Sequence, residues 1–177
     1  MREGSTSNAA GVAQLERTSF PTRDFPITDV RQTAFFIQNE SVLLSQRLRL
    51  TLGARYDDFE ADAMGDSVYF SGNPGTPLPA DFEDSETTLS ASVVYQLTNS
   101  ISSFLRYSEG FRAPPYDDVN VGFTNPIGGY KTISNPNLES ETSEGFEVGL
   151  RWNSESVSVG LSVYQNDYEN FIESLSL

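Results

Sequence analysis

The sequence contains no cysteine and no histidine. Their absence removes Cys and His nucleophile–base pairs, His-assisted serine hydrolysis and ordinary zinc sites. No catalytic centre and no bound metal are expected. The missing thiols leave the redox compartment open, because a chain without them suits any of them. Positive charge is also scarce: 11 Lys and Arg stand against 25 Asp and Glu, a net charge of −14. So acidic a chain lacks the basic surface that neutralises phosphates, and nucleic acid is not an expected partner.

Long apolar runs are missing too. The opening MREGSTSNAAGVAQ has no apolar stretch after its Arg, so no signal peptide is read there. No run approaches the roughly 20 apolar residues of a membrane helix. An outer-membrane barrel survives this test, since its strands carry only alternating hydrophobicity and its loops and lumen keep mean hydropathy low; here it is negative. On that reading the true N-terminus is expected to lie upstream.

What the sequence does have is period-two alternation between turn-rich stretches, with little helical periodicity. In QRLRLTLGARYDD, Leu48, Leu50, Leu52, Ala54 and Tyr56 share one face, opposite Arg47, Arg49, Thr51, Gly53, Arg55 and Asp57. The same pattern sets Leu89, Ala91, Val93, Tyr95 and Leu97 against Ser90, Ser92, Val94 and Gln96. It sets Ile101, Ser103, Leu105 and Tyr107 against Ser102, Phe104, Arg106 and Ser108, where Ser103 and Phe104 break the rule. Two more strands follow, one setting Phe146, Val148, Leu150 and Trp152 against Glu147, Gly149 and Arg151, the next setting Val157, Val159, Leu161 and Val163 against Ser156, Ser158, Gly160 and Ser162. A sixth lies at about 32 to 43, its register ambiguous because Phe35 and Phe36 face opposite ways.

The connections alternate between a few residues, near Ser45, Asn99 and Ser154, and long polar segments. The segmentation is a loop end at 1–31, a hairpin at 32–57, a loop at 58–86, a hairpin at 87–108, a loop at 109–141 and a hairpin at 142–168. Compact soluble domains seldom need long loops on one side, whereas transmembrane barrels have short periplasmic turns and long extracellular loops. Aromatic girdles mark the two membrane interfaces of such barrels. Tyr56 and Tyr107 fall at the long-loop end, and Tyr95 and Trp152 at the short-turn end. The fold class is therefore read as all-β, an antiparallel transmembrane barrel of which about six strands are present. Bacterial barrels need about eight strands to close, so further strands are expected outside the chain. Alternation alone leaves a soluble β-sandwich binding module open, and a passive porin-like channel would share the same barrel and loops.

The stretch SEGFRAPPYDDVNVGFTNPIGGYKTISNPNLESETSEGFEVGLRW is more specific. It resembles TonB-dependent receptors, most closely the haem and haemoglobin receptor branch. Phe111, Arg112, Ala113 and Pro114 match that branch's FRAP box, and Asn135, Pro136, Asn137 and Leu138 match its NPNL box. Glu139, Glu141, Thr142 and Glu144 match the acidic start of the next strand, while Phe36 to Glu40 and Leu52 to Asp57 resemble earlier family strands. The resemblance implies import of haem or another iron source across the outer membrane of a Gram-negative cell. Its implied partners are outer-membrane lipid, the TonB complex acting through a plug domain outside this chain, and haem, a haemoprotein or an iron chelate as cargo. Haem would be cargo and not a resident cofactor.

The branch often places an iron-ligating histidine between the two boxes, and this chain has none. Haem iron can also be held by tyrosine, which makes Tyr130 and Tyr116 the candidate substitutes; packing or interfacial anchoring is the alternative for each. Pro114 and Pro115 stiffen the chain leaving the strand, and Asn135 and Asn137 around Pro136 favour a turn. Two such anchors, with Gly122, Gly128 and Gly129 between them, could hold a mobile loop over the pore. The acids Asp57, Asp58, Asp117, Asp118, Glu139, Glu141 and Glu144 are expected to be solvated. Arg47, Arg49, Arg55, Arg106, Arg151 and Glu147, on polar faces, are expected to pair across strands.

Overall fold

The computed structural model describes residues 5–7, 13–15, 21, 23–121, 124–125 and 130–173. Six long antiparallel strands dominate: β3 (Ile27–Leu43), β4 (Leu48–Met64), β5 (Phe82–Gln96), β6 (Ile101–Arg112), β9 (Glu141–Asn153) and β10 (Ser158–Glu169). They form one sheet in the order β10-β9-β6-β5-β4-β3, open at β3 and β10 among the described residues. Two small ribbons pair β1 (Ser5–Ser7) with β2 (Ala13–Leu15) and β7 (Thr124–Asn125) with β8 (Tyr130–Lys131). Two short helices complete the list, α1 (Ser67–Gly72) and α2 (Tyr116–Asn120).

The chain divides into two units. One gathers residues 32–58, 84–113 and 139–177 and holds most of the long sheet; the other gathers 1–31, 59–83 and 114–138. The strands run further than the alternation marks, with β3 starting at Ile27 and β4 continuing to Met64. Phe111 and Arg112 of the first box belong to β6.

Register turns alternation into continuous rows. Val93, Leu105, Val148 and Val163 are cross-strand neighbours, as are Tyr95, Ser103, Leu150 and Leu161. Trp152 sits between Ile101 and Val159, and Tyr107 between Ala91 and Phe146. The next row is acidic, with Glu109 beside Glu144 and Glu144 beside Asp167. From the Trp152 row to this acidic row is ~27 Å along the strands at ~3.4 Å per residue. A barrel tilt of ~40° shortens that to ~21 Å, close to the ~25 Å apolar band of outer-membrane barrels. The β5–β6 ladder ends here: the Leu89 N–H, one residue past the Ser90–Ser108 pair, donates to Glu109 Oε2 at 2.8 Å.

The opposite face is polar. Ser102 faces Arg151, Arg106 faces Glu147 and Arg112 faces Glu141. Phe104, the apolar exception of the alternation, is paired with Gly149. A Cβ at position 149 would lie 2.6 Å from the Phe104 ring and 2.6 Å from the Leu161 carbonyl oxygen. The ring thus covers a backbone that carries no side chain, and the Arg151 guanidinium stacks on its face at 4.8 Å. Phe36 falls on this face as well, in step with Glu40, whose carboxylate meets Arg49.

Three tight turns close the hairpins. The first, after Leu43, puts Leu44, Ser45 and Gln46 all at positive φ (52°, 51° and 72°), and the Arg47 N–H donates to the Leu44 carbonyl at 3.2 Å. In the second, Thr98 Oγ1 accepts from the Ser100 and Ile101 amides at 3.2 and 3.0 Å. In the third, Ser154 and Val157 exchange bonds through Ser154 N, Ser154 Oγ and the Val157 peptide.

Candidate functional site

The segments read as long polar loops contain the best-buried residues of the chain. Tyr69 is 1% exposed, and Val119, Asn73 and Pro114 are nearly as enclosed. Their arrangement follows from local signals. Asp66 is the N-cap of α1, its Oδ1 accepting the Tyr69 N–H at 2.8 Å, which satisfies one of the donors every helix start leaves open. Its other oxygen takes Arg23 Nη1 at 2.9 Å. Donation from Tyr69 N–H, with the Arg23 charge adding to it, holds the Asp66 carboxyl below the usual carboxylate range. Burial pushes the Tyr69 phenol up, so it keeps the proton it donates to the Asn120 carbonyl at 3.2 Å.

Asn120, the last residue of α2, clamps a neighbouring segment. Its amide nitrogen donates to the Ala80 carbonyl and its amide oxygen accepts the Ala80 N–H, both at 2.8 Å. Asn73 uses its amide nitrogen on the carbonyls of Arg23 at 2.7 Å and Tyr69 at 2.8 Å. Three stretches distant in sequence are thereby tied by buried amides, where an unpaired polar group would be costly.

Each sequence box is fastened to one residue outside the boxes, the second in one unit and the first in the other. Pro114, the last residue of the first box, is fully buried, and Pro115 after it precedes α2. The second box is a β-turn, its Leu138 N–H donating to the Asn135 carbonyl at 3.3 Å and its Asn137 N–H to Asn135 Oδ1 at 3.1 Å, with Pro136 at the position a turn favours. This turn is fastened to α2 by the Asn135 N–H, which donates to the Asp118 carbonyl at 3.2 Å. In the sheet unit, Arg112 of the first box pairs with Glu141 just beyond the second, Nη1 to Oε2 at 2.7 Å. Glu141 Oε1 also accepts the Ile172 N–H at 2.7 Å.

Two acids expected to be solvated are not. Glu141 is buried in this network. Asp57 is also buried, in strand β4, where Arg55 holds it with two bonds of 2.6 and 2.7 Å. Asp57 and Arg55 are two residues apart on one face of one strand, where the expectation for Arg55 is a cross-strand partner. Arg49 and Arg106 do pair across strands, with Glu40 and Glu147.

Of the two candidate ligands, Tyr116 opens α2 and packs edge-on against Phe25, ring centroids 6.4 Å apart. Tyr130 sits on the ribbon strand β8 opposite Asn125; its side chain, and the glycines Gly122, Gly128 and Gly129, lie outside the described residues. Tyr56, Tyr95 and Trp152 stand partly exposed on the apolar face, and Tyr107 lies half-buried against Phe146, centroids 4.8 Å apart. Among the described residues no group of three or more His, Cys, Asp or Glu is arranged to hold a metal ion. No helix among them is long and apolar enough to cross a membrane, which leaves strands untouched by the test.

The chain is similar to proteins named for haemoglobin or hemin. It is 28% identical over 131 residues to the haemoglobin-haptoglobin utilization protein B of Neisseria meningitidis serogroup C, covering 73% of this chain and 16% of that protein. It is 28% identical over 149 residues to the hemin receptor of Yersinia enterocolitica, covering 79% of this chain and 20% of the receptor. A 76-residue stretch is 37% identical to the haemoglobin and haemoglobin-haptoglobin-binding protein C of Haemophilus influenzae, covering 43% of this chain and 7% of that protein. In fold it is similar to the copper transporter OprC, with a TM-score of 0.67 at 16% identity, covering 96% of this chain and 25% of the transporter. The chain thus spans a quarter or less of the length of these proteins. The family model described as TonB dependent receptor-like, beta-barrel matches residues 3–177. With this match and a sheet of six antiparallel strands, apolar on one face, the chain belongs to the TonB-dependent receptor β-barrel family.

Proposed function

We propose that this chain forms a strip of the barrel wall, with two of the external loops, of an outer-membrane receptor that imports haem or haem-derived iron. The observation that carries the reading is that each box is fastened to a residue flanking the other, Asn135 to Asp118 in one unit and Arg112 to Glu141 in the other. Relatives that the chain matches over most of its length are named for haemin or haemoglobin. The apolar rows suit lipid, and the polar face with Arg106, Glu147 and Arg151 suits a watery lumen and a plug through which TonB delivers energy. Catalysis has no place in this reading.

Growth tests it. Iron-starved Gram-negative cells carrying the complete receptor are expected to grow on haem or haemoglobin as iron source only while TonB is intact. Failure on every haem source, with the receptor folded in the outer membrane, overturns the haem assignment and leaves the family standing. For the iron itself we propose a tyrosine ligand, Tyr130 or Tyr116, in place of the absent histidine. Changing the liganding residue to Phe is expected to alter the haem absorbance spectrum. If neither change alters it, no tyrosine ligand is present at these positions.

A further inference from the structure

Glu141 opens β9 and is buried, and its two carboxylate oxygens serve two different segments. Oε2 accepts Arg112 Nη1 at 2.7 Å, at the end of β6. Oε1 accepts the Ile172 N–H at 2.7 Å, just beyond the end of β10. In the sheet β9 lies between β6 and β10, so one side chain holds the chain on both sides of its own strand.

The path of the chain after β10 explains why a side chain is used there. The β9–β10 ladder ends at the Thr142–Glu169 pair, and a strand that ran on would set Asn170 opposite Glu141. Asn170 instead takes a left-handed conformation, φ 54°, which ends the strand. The Ile172 amide is then bonded by the Glu141 carboxylate and not by a ladder carbonyl. Ser140, also buried, adds to the same junction: its carbonyl accepts Asn170 Nδ2 at 3.5 Å, and its hydroxyl donates to the Asp84 carboxylate near the start of β5.

The two donors to Glu141 are not equivalent. Arg112 supplies the opposing charge, and its side chain is 61% exposed against 10% for Glu141, so the cation is the partner that can leave. A buried carboxylate left with one neutral amide is costly. It relaxes by turning to water, and that turn breaks the Ile172 bond as well.

We infer that Glu141 is a coupling residue: it joins the end of β6, where the first box begins, to the stretch leaving β10, so that Arg112 and Ile172 are held or released together. An event that displaces Arg112 therefore loosens a segment two strands away. The inference goes beyond the import reading and does not depend on the cargo.

Amide exchange of the complete receptor in lipid vesicles tests it, read at Ile172, with the paired residues Val148 and Val163 as the control for a folded barrel. Arg112→Ala is expected to speed exchange at Ile172 tenfold or more while the control stays slow. Arg112→Gln, which keeps a polar side chain without the charge, is expected to do the same and serves if Arg112→Ala does not fold. Glu141→Gln is neutral and keeps an oxygen for the Ile172 N–H. In that background Arg112→Ala is expected to change exchange at Ile172 less than twofold, a result that lost packing at position 112 would not give. Arg112→Lys, which keeps the charge, should restore most of the protection. Unchanged exchange at Ile172 in Arg112→Ala and Arg112→Gln overturns the inference. An equal acceleration in the Glu141→Gln background overturns it too, because the coupling would then bypass the carboxylate.

Discussion

Gly149 has a defined reason to be glycine that the alternation pattern does not carry. A methyl there would press on the Leu161 carbonyl oxygen, which cannot rotate away, as well as on Phe104, which can. Gly149→Val is therefore expected to lower the stability of the folded receptor by ~1–3 kcal/mol, as overpacking does elsewhere, measured by urea unfolding in lipid vesicles. Arg112 offers a second case. Its loss leaves Glu141 buried with only the Ile172 amide to bond it, so Arg112→Ala should destabilise the sheet more than Glu141→Gln, and the double variant should fall short of the sum of the two. Sequence reading singled out Arg112 by resemblance alone. Its partner was missed because Glu141 sits among other acids that look solvated, and only cross-strand register brings the two together.

At the scale of the elements, the strands were legible because each buries one face and so writes period two into its residues. The helices α1 and α2 were not. At six and five residues they are too short to show helical periodicity, and tertiary bonds from Asn120 and Asn73 hold them in place. Traces were present, in Asp66 ahead of Ser67 and in Pro115 followed by Asp117 and Asp118, which are helix-start signals. The loop-bearing unit should respond to its amides independently of the barrel. Asn120→Ala removes both bonds to Ala80, and residues 65–81 are expected to become protease-sensitive on intact cells while barrel melting is unchanged. Acid should act in the same place. The folded Asp66 carboxyl lies below its usual value, so its contribution is complete above the unfolded carboxyl pKa and is lost as pH falls through the folded one. Amide-exchange protection of α1 is expected to drop in acid, and Asp66→Asn should blunt that dependence. The first turn behaves differently, since Leu44, Ser45 and Gln46 hold a conformation that favours glycine. Gln46→Gly is expected to stabilise the hairpin slightly, by up to ~1 kcal/mol.

For the whole molecule, alternation, loop rhythm and aromatic placement left a sandwich and a barrel both standing, because either can bury one face of every strand. Family membership decides for the barrel, and register explains why the pattern suits it: mostly apolar rows, interrupted at Ser103 and Gln165, run from β5 to β10 and stop at the acids Glu109, Glu144 and Asp167. The absence of cysteine, which excluded thiol chemistry at the outset, also provides the most direct test of this placement, because an introduced thiol has no competitor in this stretch and the unaltered receptor reports any thiol elsewhere. Cells carrying the complete receptor with a cysteine at Leu78, in a loop, or at Glu155, in a tight turn, would be treated with a membrane-impermeant maleimide. Labelling of position 78 on intact cells, and of position 155 only once the periplasm is opened, is the expected result. Labelling of position 155 on intact cells, or protection of 78 until the outer membrane is breached, would contradict a barrel wall with its long loops outside.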